Sequence, residues 1–289
     1  TNAQVTLVRT SQEREVLNQR AQELLKKDLS QSEAVQLSLI NSPAVQALIA
    51  QNWSEGAFAA QSGRVSNPHF AFERMVTGPE IEFSRWFVFG LLDLITLPQR
   101  KGIADKRIEQ TQLRLTSQII DQVTLVRQSW VRAVAAEQSL KYSEQVLRGA
   151  QASAELARRM EAVGNFNKIT RARQQAFYAD SATQFANATQ AAVSRREELA
   201  RALGLTELQA KQLRLPKRLP ELPKNPLSTD WVAEQARFER LDIQLAQTTL
   251  EAAAKAQGLN SITSFTDIEL GFNRGTKYDT ASGASTPKQ

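Results

Sequence analysis

Cysteine is absent from the 289 residues, which excludes disulfides, thiolate metal sites and cysteine nucleophiles. A single histidine, His69, rules out a multi-histidine zinc site. Glycine and proline are scarce, at 12 and 9. No stretch approaches the ~20 apolar residues of a membrane-spanning helix. The best run, WFVFGLLDLITL at 86–97, is too short and contains Asp93. The opening TNAQVTLVRT has no apolar core of a signal peptide, although a processed chain would read the same way. No G-x-x-x-x-G-K-[ST] loop, catalytic carboxylate pair or activated nucleophile is laid out, so neither an enzyme nor a cofactor is expected. What is present is charge, 36 Lys+Arg against 30 Asp+Glu, within 42% hydrophobic residues. That balance suits long, charged, alanine-rich helices. The basic residues alternate with acids along helices, and aromatics do not interleave with them as a nucleic-acid stacking platform requires.

The hydrophobic period divides the chain. Residues 1–29 read as an extended, polar N-terminal segment. A helix is expected over 30–63, with Ser30 or Ser32 as N-cap and a break near Asn41-Ser42 ahead of Pro43. The period then falls to two. In HFAFERM, Phe70 and Phe72 alternate with His69, Ala71 and Glu73; Gly78-Pro79 marks a turn; and in IEFSRWFVFGLL, Ile81, Phe83, Phe87, Phe89 and Leu91 share one parity. Two such runs predict a β-hairpin over 68–96. From Arg100 the helical period returns, and one helix to residue 162 would be roughly 90 Å long. Leu113, Ile120, Val123, Trp130, Val134, Leu140 and Leu147 give it a seam. Gly164-Asn165 interrupts, Asn167 is a candidate cap, and a second helix is expected over 168–203. Ala172, Ala176, Ala179, Thr183, Ala186, Gln190 and Val193 recur at spacings of 4 and 3, a heptad stripe of small residues. Together, 100–203 predict an antiparallel coiled-coil hairpin that completes a first unit over 30–212.

Residues 213–227 carry four prolines and read as an extended strap. The chain then starts again over 228–289 with a helix and an alternating strand. A shift of 198 places Leu29-Ser30 on Leu227-Ser228, Val45-Gln46 on Ile243-Gln244, and Phe70 and Phe72 on Ile268 and Leu270. An internal duplication is expected, with the second copy cut short at Gln289.

AVQLSLINSPAVQALIAQ (34–51), the SNPHFAFE strand, AVGNFNKITRARQQAF (162–177), EELARALGL (197–205) and the restart WVAEQARFERLDIQLAQTTLEAA (231–253) together resemble the TolC-like outer-membrane efflux protein family. The resemblance implies a mainly α fold: a long antiparallel coiled-coil hairpin joined to β-hairpin strands of a transmembrane barrel, internally duplicated and here incomplete. It implies a homotrimeric, passive exit duct in the outer membrane and periplasm of a Gram-negative bacterium, docked through its helical tip onto a periplasmic adaptor and an inner-membrane pump. The tip residues matching the family are Val163, Gly164 and Asn165, flanked by Arg158, Arg159, Lys168 and Arg171; Asn165 departs from an apolar family position. Phe70, Phe72, Phe83, Phe87, Phe89, Ile268 and Leu270 would face outer-membrane lipid, with His69, Ala71, Glu73, Glu82, Ser84, Asp267, Glu269 and Asn273 on the lumen side. Organic solutes or drugs and heavy-metal cations are both open as cargo. The competing reading is a cytosolic, basic coiled-coil scaffold protein, which leaves the two Phe-rich alternating runs without a purpose.

Overall fold

The computed structural model describes residues 7–221, 228–264 and 268–288. It is mainly helical with one antiparallel sheet. The helices are α1 (Ser11–Leu25), α2 (Gln31–Asn41), α3 (Pro43–Ser62), α4 (Leu91–Ile95), α5 (Leu97–Ala162), α6 (Lys168–Ala202), α7 (Glu207–Gln212), α8 (Thr229–Glu239) and α9 (Leu241–Thr263). The sheet runs in the order β1 (His69–Thr77), β2 (Glu80–Gly90), β3 (Glu269–Asp279), β4 (Ser285–Lys288).

Two expectations need correction. The N-terminal segment 1–29 is not extended where it is described: Ser11–Leu25 is helical. Thr10 accepts from the Glu13 amide while the Glu13 carboxylate reaches back to the Thr10 amide, so a reciprocal capping box starts α1. The β-hairpin of 68–96 ends early, at Gly90. The amides of Leu91 and Leu92 turn aside onto the Ile268 carbonyl, and the Thr96 hydroxyl and amide both bond Leu92 O, which curls 91–95 into α4. The break near Asn41-Ser42 stands as expected: Ser42 is extended and Pro43 occupies the first turn of α3, where its missing amide proton costs nothing. Arg240 makes a matching break between α8 and α9. The starts of α2 and α8, like those of α3 and α9, lie 198 residues apart. Residues 222–227 of the strap, and Asp267, lie outside the described residues.

The chain resolves into two compact units. The first takes residues 1–50 and 117–235. Its core gathers Ala21 and Leu25 of α1, Leu29, Leu37 of α2, Val126, Trp130 and Val134 of α5, Leu199 and Leu203 at the end of α6, and Leu213 and Leu215 of the strap. Trp130 is 2% exposed, and its indole donates to Leu29 O at 2.8 Å while the Leu29 amide donates to Arg214 O at 2.9 Å. The strap is thus held by backbone pairing as well as by leucines. Arg196 fixes its other edge, donating to Leu213 O and pairing with Glu137 at 3.0 Å.

The second unit takes 51–116 and 236–289. Here the first turns of α5 lie between α3 and α9. Asn52 donates to Thr111 O at 2.7 Å on one side, and Lys106 pairs with Glu251 at 2.9 Å on the other. The sheet belongs to this unit.

Candidate functional site

A Schellman turn builds the α5–α6 tip. Gly164 has φ +82°, a left-handed conformation that glycine adopts without a Cβ clash. The Asn165 amide reaches Met160 O at 2.8 Å and the Gly164 amide reaches Glu161 O at 2.9 Å. Asn167 then caps α6, its side chain accepting from the Thr170 amide at 2.8 Å. Of the flanking cations named from sequence, three are already paired within the chain. Arg158 and Arg159 both bond Glu155, which holds its carboxyl down at a pKa of about 2, Arg158 being the larger cause. Arg171 crosses to Glu161 at 2.8 Å, tying the two helices together beside the turn. Lys168 is exposed and makes no ion pair among the described residues. Val163, Gly164 and Asn165 are exposed together, and sequence reasoning missed Leu156 and Ile169, which add exposed apolar surface at the same end.

The hairpin stems correct the seam read from sequence. Along α6, the side chains turned to α5 are Gln174, Tyr178, Ser181, Phe185, Ala188 and Ala192, also spaced 4 and 3. The small-residue stripe Ala172, Ala176, Ala179, Thr183, Ala186, Gln190 and Val193 lies on the opposite side and is exposed throughout, Val193 at 59%. The helix therefore carries two heptad stripes. On α5 the buried stripe includes Ala150 and Ala157, and an exposed one repeats every seven residues as Tyr142, Gly149 and Leu156, in step with Val163 just past the helix end. A Cβ on Gly149 would meet open space, so nothing among the described residues calls for glycine there. A helix with two opposed seams has a place for two neighbours, and one chain supplies one of them.

The strand register sorts the sheet into two chemistries. Phe70 faces Phe87, which faces Phe272; Phe89 faces Leu270; Ile81 faces Val76 and Tyr278; and Phe83 lies on the same face. This face holds no Asp or Glu among the described strand residues. Its rings are in contact: Phe72 to Phe83 at 5.8 Å between centroids, Phe83 to Tyr278 edge-on at 5.9 Å. On the other face lie His69, Ala71, Glu73, Ser84, Trp86 and Asn273, with Glu80, Glu82, Glu269 and Asp279 and the small residues Gly271 and Gly275. Lys277 sits among these acids and pairs with Glu80 at 2.5 Å. The apolar residues named from sequence as one face thus share one face, apart from Ile268, which stands just before β3 and spends its carbonyl on α4.

His69 borders a hollow of about 480 Å³ with Asp93, Arg100 and Glu269. Arg100 is consumed there as a structural staple, pairing with Asp93 at 2.8 Å and donating to the carbonyls of Ser62 and Arg64. Among the described residues no three His, Asp or Glu side chains gather as a metal site.

No family model and no curated protein matches the sequence. Solved structures do match the fold. The structure of CusC, described in terms of transmembrane channel formation, superposes with a TM-score of 0.68 at 16% identity, covering 100% of this chain and 69% of that one. The outer-membrane protein VceC of Vibrio cholerae gives 0.68 at 16%, covering 93% and 69%. The CmeC outer-membrane channel of Campylobacter jejuni gives 0.65 at 13%, covering 100% and 63%. What these structures share with the chain is a fold, one that combines a long helical hairpin with an antiparallel sheet. More particularly the chain has the TolC-like fold, and it spans about two thirds of the length of these structures.

Proposed function

We propose that this chain forms part of a passive duct through the outer membrane and periplasm, assembled from several hairpins, with no chemistry of its own. The observation that carries the reading is the pairing of two surfaces that one chain leaves bare: a second heptad stripe on each long helix, and an aromatic sheet face backed by an acidic one. Antiparallel strands with alternating apolar and polar sides suit a closed barrel, in which every backbone group is paired and the polar side lines water. The aromatic side turns to lipid and the side bearing Glu73, Glu80, Glu82 and Asp279 lines the pore. The exposed stripes close a tube of helices in a homotrimeric full-length assembly, and the tip at Val163–Asn165, with Lys168, meets a periplasmic adaptor that couples the duct to an inner-membrane pump.

Cargo follows from the lining. Five carboxylates, Glu269 with the four just named, against Lys277 favour cationic solutes, metal ions or organic cations, over anions. The test is conductance of the full chain in planar bilayers under a salt gradient. Discrete channels with a cation-selective reversal potential are expected, and Glu73→Gln with Glu82→Gln should bring selectivity toward neutral. A chain that neither enters vesicles nor conducts would defeat the duct reading and favour the scaffold.

A further inference from the structure

Three arginines interrupt the aromatic sheet face. Arg85 of β2 stands directly opposite Arg274 of β3, and Phe72 flanks Arg85 on the β1 side. Arg74 is two residues along β1 from Phe72, opposite Phe83. That makes Arg74 a diagonal neighbour of Arg85, at about 7–8 Å in an antiparallel pair. All three are exposed. None has an ion-pair partner among the described residues, and the only charge-linked contact among them is Arg74 over the Phe83 ring at 6.0 Å. With no carboxylate on this face, like charges directly opposite one another are left uncompensated, an arrangement that destabilises a sheet. Facing hydrocarbon would make it worse, since each cation would lose its hydration without gaining a partner.

The neighbouring rows show what would relieve this cost. On the His69 side of the arginines lies a continuous apolar surface of Phe70, Phe72, Phe87, Phe89, Leu270 and Phe272, with Phe272 62% exposed. Beyond the arginines, Phe83 and Tyr278 pack edge-on against each other. A molecule that fits needs acyl chains for the phenylalanine rows and an anionic oxygen cluster for three guanidinium forks. Guanidinium meets phosphate in a planar, two-bonded geometry that suits it better than lysine. We infer that Arg74, Arg85 and Arg274 form a binding site for the phosphate of an acidic membrane lipid whose acyl chains lie over Phe70, Phe87 and Phe272. The arginines then mark the headgroup level on the barrel wall, and the lipid is a structural ligand of the sheet. This rests on the barrel reading, with the aromatic face turned to lipid.

The experiment inserts the full chain into phosphatidylcholine vesicles doped with phosphatidic acid, extracts it in mild detergent, and identifies the retained lipid by native mass spectrometry. Protease protection in undoped phosphatidylcholine vesicles reports insertion separately. Phosphatidic acid should be retained well above its share of the vesicle, and excess inorganic phosphate should not displace it. Each of Arg74→Gln, Arg85→Gln and Arg274→Gln should lower the enrichment about fivefold, as expected for one cation at an anionic lipid surface. Insertion into the undoped vesicles should be retained. If a glutamine variant does not fold, the double variant Arg85→Lys/Arg274→Lys keeps the charge, loses the forks and should still lose part of the enrichment. Retention at the bulk lipid ratio, enrichment unchanged in the variants, or displacement by inorganic phosphate alone would overturn the inference. A chain that never inserts into neutral vesicles would overturn the barrel reading, and this inference with it.

Discussion

The two ends of the helical hairpin are built on different terms. At its base, α5 and α6 are covered by α1, α2 and the strap, and large residues fill the space: Leu25, Leu29, Trp130, Leu199, Leu203 and Leu213. Toward the tip the buried positions are small, Ala150, Ala157 and Ser181, and the outer sides present Tyr142, Leu156 and Phe177 to solvent. The base is complete within one chain. The outer arm has one stripe buried and one exposed, as the proposed assembly requires. The sheet repeats the pattern, with its aromatic face bare in a single chain.

Substitutions at the base should show the largest cost. Trp130→Ala removes the biggest buried side chain and leaves Leu29 O without its donor, so urea unfolding of the full chain should show a loss of about 4 kcal/mol. Two glycines with the same Schellman geometry sharpen the contrast. Gly204, at φ +68°, would put a Cβ 2.6 Å from Ser42 Cα and 2.8 Å from Pro43 Cδ, whereas a Cβ on Gly164 meets open space. Gly204→Ala is expected to cost about 3 kcal/mol, combining left-handed strain with a backbone clash, and Gly164→Ala about 1 kcal/mol from strain alone. Equal values in the same unfolding assay would mean that the base is looser than its packing indicates.

The opposed stripes of the arm separate next. Ala157→Leu overfills the seam between α5 and α6 and should cost about 2 kcal/mol. Ala186→Leu on the outer stripe should leave the unfolding midpoint within about 0.5 kcal/mol yet weaken self-association in analytical ultracentrifugation. The smallest effect expected is a pH dependence at the base. Glu33 closes the capping box of α2 and is held at a pKa of about 2, first by Lys27 and then by Ser30. Its folded value lies below its ordinary 4.5, so its contribution is present above that pH and is lost as pH falls toward 2. Thermal unfolding should lose less over this range in Glu33→Gln than in the parent chain.

Legibility in the sequence followed the strength of local signals. Proline, glycine and the change of period marked the break at Ser42, both hairpin turns and the length of α5, because each depends on its own few residues. Helix α1 was hidden by its polar surface, although the Thr10-x-x-Glu13 spacing of a capping box was there to read. Which stripe of α6 meets α5 could not be read at all, since both repeat at 4 and 3 and both are rich in small residues. Only the burial of one stripe in the folded hairpin selects between them. The arginine group was equally invisible: Arg74, Arg85 and Arg274 come from three strands, and only the pairing register sets them side by side.

The absence of cysteine makes the most direct test clean. A single Ala179→Cys on the outer stripe, with Asn187→Cys on a flanking side as control, can be probed by maleimide in membranes that contain the full chain and again after heat dissociation in detergent. Both positions are exposed in the single chain. If the stripe is a packing surface of an assembled duct, Ala179→Cys is protected in membranes and reactive after dissociation, while Asn187→Cys reacts in both. Equal labelling of the two positions in membranes would contradict the account.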